Sequence, residues 1–436
     1  MNADHDSNTK DKLTLWGAVS MGTGVMIGAG IFALTGEIAT YAGGLMIWAF
    51  IAAGLVAALT SYTYIKMSNA YPSSGGIGMI LVKVYGKSTL AAWGGLLMLF
   101  SMIVNQSLVA RTFGNYIIQS KYISLSEAFI PWLGLGLVVF AFLVNILSNK
   151  WIQSFSFVMS LLKAIGLILL AVGGLIASGL DFSSIVQTSS GTEPLSFIGA
   201  VGIGVLAFKG FTTITNSGGE IEKPHENVGR AIIFSLAICL VIYILVTLAV
   251  TSSLSLEEIL AAKNYSLAEA SRPMFGELGV TLTIVVAVVA TVSGIIASMF
   301  AVSRMLKMLT DMELVPHKHF GMPGSVQTHV LVYIAVIAGL LTISFDVGRI
   351  AALGAFYYLV MDILIHFGVL KYADRSEVKF NVSFPLLSIL VDCIILVGLL
   401  SIKIKSDPPV VIFTGVTIMA LFIYEHYFLK DKTFVN

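Results

Sequence analysis

Twelve stretches of the chain are each apolar over about 20 residues, the length an α-helix needs to cross ~30 Å of hydrocarbon. They cover approximately residues 14–35, 42–65, 89–117, 128–147, 152–178, 195–217, 229–253, 277–303, 326–345, 347–370, 383–401 and 409–429. A soluble chain of 436 residues has no core large enough to absorb them. Only 11% of the residues are charged, against about 25% in an ordinary soluble domain, and the mean hydropathy is +0.92. The same composition excludes a disordered chain, a coiled coil and a collagen-like fibre. Cys239 and Cys393 both lie inside apolar runs, so no disulfide framework is implied. A net charge of +1 gives no reason to expect a nucleic acid partner. The fold class is therefore an all-α polytopic membrane protein with twelve transmembrane helices, and its first partner is the lipid bilayer.

Loop charge sets the orientation, because Lys and Arg accumulate on the cytoplasmic side. Sixteen of the 25 fall on the side that holds the N-terminus and six on the other. Arg111, Lys163 and Lys209 lie inside or at the edge of spans. Both termini, residues 1–13 and 430–436, are expected in the cytoplasm, with the protein in the cytoplasmic membrane. The polar opening "MNADHDSNTKDK" lacks a basic n-region, so the first span is not expected to be a cleaved signal. The long outer connection "SLSLEEILAAKNYSLAEASRPMFGELG" has helical spacing and acidic character. It reads either as an amphipathic helix over the outer mouth or as a solvated connector.

Two spans carry glycine clusters at comparable places. Span 1 contains Gly22, Gly24, Gly28 and Gly30, and span 6 contains Gly199, Gly202, Gly204 and Gly210 followed by a Thr/Asn/Ser tail. Each glycine costs a helix ~1 kcal/mol relative to alanine. Two such clusters, five spans apart, fit discontinuous helices in the two halves of an inverted repeat. The alternative use is close helix packing through small residues.

Several motifs resemble those of the amino acid–polyamine–organocation (APC) transporters, in that family's order along the chain. They are "GAGIFALTG" (28–36), "NAYPSSGGIG" (69–78), "FKGFTTITNSGGEIEKPHENVGRAI" (208–232) and "SRMLKMLTDMELVP" (303–316). "LWGAVSMGTGVMIGAGIF", "GFTTITNSGGEIEKP" and a lysine within "FVMSLLKAIGLILLAVGG" are most similar to the ApcT-like proton-coupled members. Asp311-Met312-Glu313 departs from the family's Arg-Asp-Gly before the final proline, and Thr212 stands where many members carry an acid. The resemblance implies a LeuT-like fold with two inverted five-helix repeats, 14–178 and 195–370. Helices 1 and 6 are then broken, and two peripheral helices follow in 383–429. It implies a permease, a secondary active transporter importing amino acids by alternating access, coupled to protons and independent of sodium. An exchanger or a sodium symporter of the same fold is the rival, with acidic or polar substrates as one preference.

Broken helices expose N–H groups that attract a carboxylate and carbonyls that attract an ammonium. Gly28, Ala29 and Gly30 leave the span 1 backbone open to a carboxylate. The carbonyls of Met26 and Ile27, with those of Leu206, Ala207, Phe208 and Lys209 before Gly210, face the ammonium. Asn105 and Gln106 in span 3 offer hydrogen bonds either to substrate or to neighbouring helices. Lys209 must have a partner or face water, since an unpaired lysine at mid-membrane costs ~3 kcal/mol or more. The options are a pair with Asp362, a polar or acidic substrate side chain, snorkelling, or loss of the charge by burial. His366 is one turn from Asp362 and can pair with it or relay protons. Asp392 in span 11 has no assigned role.

Lys163 lies mid-span among Met159, Leu161, Leu162, Ile165 and Leu167. The resemblance implies that its ammonium replaces the cation of sodium-coupled relatives, against the Gly24 carbonyl and the Ser293 hydroxyl. A lysine paired purely for structure is the alternative. No metal, cofactor or enzymatic constellation is expected: no nucleophile–base set or phosphate loop appears. The polar residues are also too sparse for a channel lining.

Overall fold

In an apolar medium every backbone N–H and C=O must be satisfied within its own segment, so such spans become helices. The computed structural model describes residues 12–147, 149–179, 192–315 and 326–433. The outermost parts of both expected tails, 1–11 and 434–436, lie outside these. Among the described residues the regular structure is helical, with one isolated bridge between Leu13 and Ile221.

The predicted spans correspond to α1 (Leu15–Ala42), α2 (Met46–Ala70), α4 (Thr89–Ile118), α5 (Ile130–Leu147) and α6 (Asn149–Ala177). The sixth span is the pair α7 (Pro194–Phe208) and α8 (Phe211–Asn216), and α9 (Pro224–Ser253) is the seventh. The rest are α11 (Ser266–Asp311), α12 (Val326–Ser344), α13 (Val347–Tyr372), α14 (Ser383–Ser406) and α15 (Pro408–Thr433). Among the described residues two short helices lie in connections, α3 (Gly76–Tyr85) and α10 (Leu256–Ala261). By length and composition ten helical stretches among the described residues suffice to cross a membrane.

Burial sorts these helices. In α4 and the α7–α8 pair 89% of the apolar window is buried, against 33% in α14 and 17% in α15. The first two therefore form the centre and the last two the rim. Exposed leucines and isoleucines such as Leu161, Leu169, Leu278, Leu390 and Ile412 clothe the outside. A water-soluble monomer rarely exposes apolar area so continuously, whereas a bilayer requires it.

Span 1 is not broken: α1 is helical from Leu15 to Ala42, between the Thr14 cap and Gly43 at φ 54°. Its glycines serve packing instead. A β-carbon on Gly28 would lie 3.5 Å from the Gly294 Cα of α11, and one on Gly30 would lie 3.0 Å from Ala207 of α7. Small residues that let backbones touch are the main device for joining helices in lipid, where hydrophobic attraction between them is absent. Span 6 is interrupted at Lys209 and Gly210, between α7 and α8, although both residues keep φ and ψ in the right-handed helical region.

The acidic connection between α9 and α11 forms real structure. Ser255 caps α10 in a reciprocal capping box with Glu258, whose carboxyl is held below its usual range by the Ser255 N–H and hydroxyl. α11 then begins amphipathic and kinks at Gly276, where φ is 60°. Lys263 in this connection pairs with the buried Glu37 of α1 at 3.4 Å, so the segment rests on one end of the bundle.

At the opposite end the motifs meet. Leu13 exchanges backbone hydrogen bonds with Glu220 and Glu222, both 2.8 Å, and Arg304 of α11 pairs with Glu220. The Ile77 N–H donates to Asn216 Oδ1 at 3.1 Å, and the Gly229 N–H donates to Asn69 Oδ1 at 3.0 Å. Segments far apart in sequence thus close one end of the molecule with polar contacts.

Candidate functional site

α6 turns leucines such as Leu161 and Leu162 outward and the charged Lys163 inward. Lys163 is 1% exposed, while Leu161, Leu162 and Ile165 on the same helix are exposed. The Lys163 ammonium donates to the Gly24 carbonyl of α1 and, at 3.2 Å, to Ser293 Oγ of α11. A carbonyl has two lone pairs, so Gly24 can serve an ammonium without leaving the helical ladder. One turn earlier Ser160 donates to the Ser20 carbonyl at 2.7 Å. The gap lined by Ser20, Met21, Gly24, Ser160, Ser293 and Ala297 holds only about 10 Å³, room for one water at most. Lys163 thus joins three helices, and the geometry brings together all three residues named for that role.

The predicted substrate residues of spans 1 and 6 also converge. Gly210 packs so closely on Met26 that a β-carbon would fall 2.8 Å from the Met26 nitrogen. Tyr243 of α9 bridges them: its Oη lies 2.6 Å from the Met26 carbonyl and 3.2 Å from the Ala207 carbonyl, sharing one proton. The Phe208 ring lies 5.0 Å from that of Tyr243. Leu206 turns away, towards Gly354 of α13. Ile27 is buried. Ala29 contributes helical backbone, and its side chain lies outside the described atoms. The unbroken α1 leaves no helix end at Gly28–Gly30, and α11 and α7 fill the space before these glycines. Sequence reasoning missed Tyr243; its signal was a phenol inside an apolar span, which must find an acceptor.

Lys209 is 4% exposed at the α7–α8 interruption. Its ammonium donates to Ser101 Oγ and, at 2.8 Å, to the Ser101 carbonyl on α4. It also lies 5.8 Å from the centre of the Tyr358 ring. The Ser101 hydroxyl in turn donates to the Gly354 carbonyl at 3.0 Å. The pair with Asp362, one of the options, is not formed: Lys209 is held by Ser101, and Asp362 accepts from Tyr64 of α2. The side chain is also no snorkelling one, being enclosed by protein. Asn105, one turn beyond Ser101, is half-buried. Gln106 is fully buried, with neither amide atom hydrogen-bonded.

His366 faces Asp362 Oδ1 at 3.4 Å and Asp392 Oδ2 of α14 at 3.9 Å through Nε2, and Thr63 Oγ1 at 2.9 Å through Nδ1. The i,i+4 approach of His366 and Asp362 was legible; the arrival of Asp392 from another helix was not. This cluster is separate from the Lys163 junction.

A family model described as "Amino acid permease" matches residues 13–428. The inner membrane transport protein YbaT of Escherichia coli is 28% identical over 91% of each chain. The serine/threonine exchanger SteT of Bacillus subtilis is 24% identical, over 72% of this chain and 73% of its own. The large neutral amino acids transporter small subunit 2 of Mus musculus is 27% identical, over 68% of this chain and 57% of its own.

Proposed function

The chain belongs to the amino acid permease family, and on that premise we propose that it is a secondary active importer of amino acids driven by protons. It spans the cytoplasmic membrane twelve times with both termini inside. Two inverted repeats, α1–α6 and α7–α13, enclose a site at the crossing of α1 with α7 and α8, and the site opens to each side in turn. One observation carries the coupling: a buried lysine whose ammonium ties α6 to the backbone of α1 and to a hydroxyl of α11. An ammonium held by a carbonyl and a hydroxyl can give up a proton to water, and the neutral amine left behind holds all three helices less tightly. The amino acid enters where Met26, Ala207, Phe208 and Gly210 now touch, which requires α1 to part from α7 and α8. Lys209, two residues from Ala207, stands at the side-chain end of that site and favours polar or acidic substrates.

Exchange is the second reading, favoured by the similarity to a protein named as a serine/threonine exchanger. Uptake of a panel of labelled amino acids into proteoliposomes, with proton and sodium gradients imposed separately, tests both. Proton-driven accumulation indifferent to sodium is the expected result. Uptake only against preloaded amino acid would favour exchange, and strict sodium dependence would overturn the coupling.

A further inference from the structure

The fully buried cluster between α2, α13 and α14 has a charge problem that its geometry leaves open. One oxygen each of Asp362 and Asp392 and the His366 Nε2 lie within 4.8 Å of one another, all without solvent exposure. Among the described residues the ion pairs of both carboxylates are with His366 alone. Tyr64 donates to Asp362 Oδ1, but Asp362 Oδ2, both Asp392 oxygens and His366 Nε2 have no hydrogen-bond partner. The other groups facing the cluster are neutral or remote: Thr63 and Tyr64 of α2, Phe211 of α8, which packs on Tyr64, and Tyr358 one turn before Asp362. Lys209 is engaged by Ser101, its ammonium 5.8 Å from the centre of the Tyr358 ring, and makes no ion pair with either aspartate.

With both carboxylates ionised and the imidazole neutral, two like charges would face each other in a dry space. Charging the imidazole would still leave one in excess. Burying an uncompensated charge is among the costliest arrangements a fold can adopt, and the group takes up a proton instead. Two carboxylates forced together share one proton for the same reason. We infer that Asp362, Asp392 and His366 form a proton-binding site, distinct from Lys163, that holds at least one carboxyl proton in the closed bundle at neutral pH. The proton sits on Asp392, neither of whose oxygens has a donor in the dry space beside Asp362. Tyr64 and Thr63 orient Asp362 and His366 from α2. Because α13 and α14 contribute the acids and α2 the orienting hydroxyls, separating these helices admits water and releases the proton.

Infrared difference spectroscopy on the full-length protein in lipid nanodiscs reads this directly, without transport. The wild type should show a protonated carboxyl stretch at neutral pH that shifts in deuterium oxide. The band should be lost in both Asp392→Asn and Asp362→Asn and retained in Lys163→Ala. Glu37→Gln and Glu425→Gln control for the two other buried carboxyls among the described residues. Absence of the band in the wild type, or its survival in both aspartate variants, would overturn the inference. So would elemental analysis finding a stoichiometric metal ion that Asp392→Asn loses, since a metal would then supply the missing charge. A failed proton-driven uptake assay with the band intact would reject the Lys163 coupling while leaving this site standing.

Discussion

Replacing Lys163 with methionine keeps most of the length of the side chain and removes the ammonium that makes both hydrogen bonds. A hydrogen bond to a charged group contributes ~1.5–3 kcal/mol. The bond to Gly24 is the closer and the one to Ser293, at 3.2 Å, the weaker. Taken together, and reduced by the cost of burying an ammonium, they favour the closed α1–α6–α11 arrangement by about 3 kcal/mol. Losing them shifts the ratio of closed to open states by about a hundredfold. The proposed substrate contacts lie elsewhere, on Met26, Ala207 and Gly210, so Lys163→Met should still bind amino acid, no more weakly than wild type. Accumulation in proteoliposomes under an inward proton gradient should fall to the level seen without a gradient. Ser293→Ala, which removes only the longer bond, should cost ~1 kcal/mol and slow accumulation about fivefold. In the double variant the Ser293 effect should vanish, since its partner is already gone. Full gradient-driven uptake by Lys163→Met, or additive effects of the two changes, would refute the coupling argument.

Two further outcomes follow from the packing. Gly28→Ala should be tolerated, because a β-carbon meets Gly294 Cα and the Ala290 carbonyl at ordinary contact distances of 3.5 and 3.7 Å. Gly28→Leu must push α1 from α11 and should cost ~1–3 kcal/mol, read as a lowered unfolding midpoint in detergent; wild-type melting would show that the helices do not cross there. Lys209→Met should shift competition towards neutral amino acids, and Ser101→Ala should shift it in the same direction by less. An unchanged profile in Lys209→Met would assign that lysine to holding α4 against the α7–α8 turn.

The apolar pattern alone determined that the chain is a bundle of membrane helices and where nearly all of them run, because helix length and hydrocarbon thickness are local quantities. Lys163 was conspicuous for the same reason, as a charge within an apolar run. Its partners Gly24 and Ser293 came only from a family resemblance, since nothing in the spacing connects them. The glycines of α1 show the limit from the other side: packing and breaking demand the same small residues, and only the presence of Gly294 and Ala207 against them decides for packing. Likewise Lys209 and Asp362 looked like mutual partners by charge, yet the first meets Ser101 and the second meets Tyr64, His366 and Asp392. Contacts along one helix follow from its repeat, so His366 beside Asp362 was readable from a spacing of four. Contacts between helices depend on the rotation and tilt of each, and spans that are apolar on every side do not specify which face turns inward. That choice is made when the whole bundle packs, and it is what placed Asp392, Ser101 and Tyr243 at their sites.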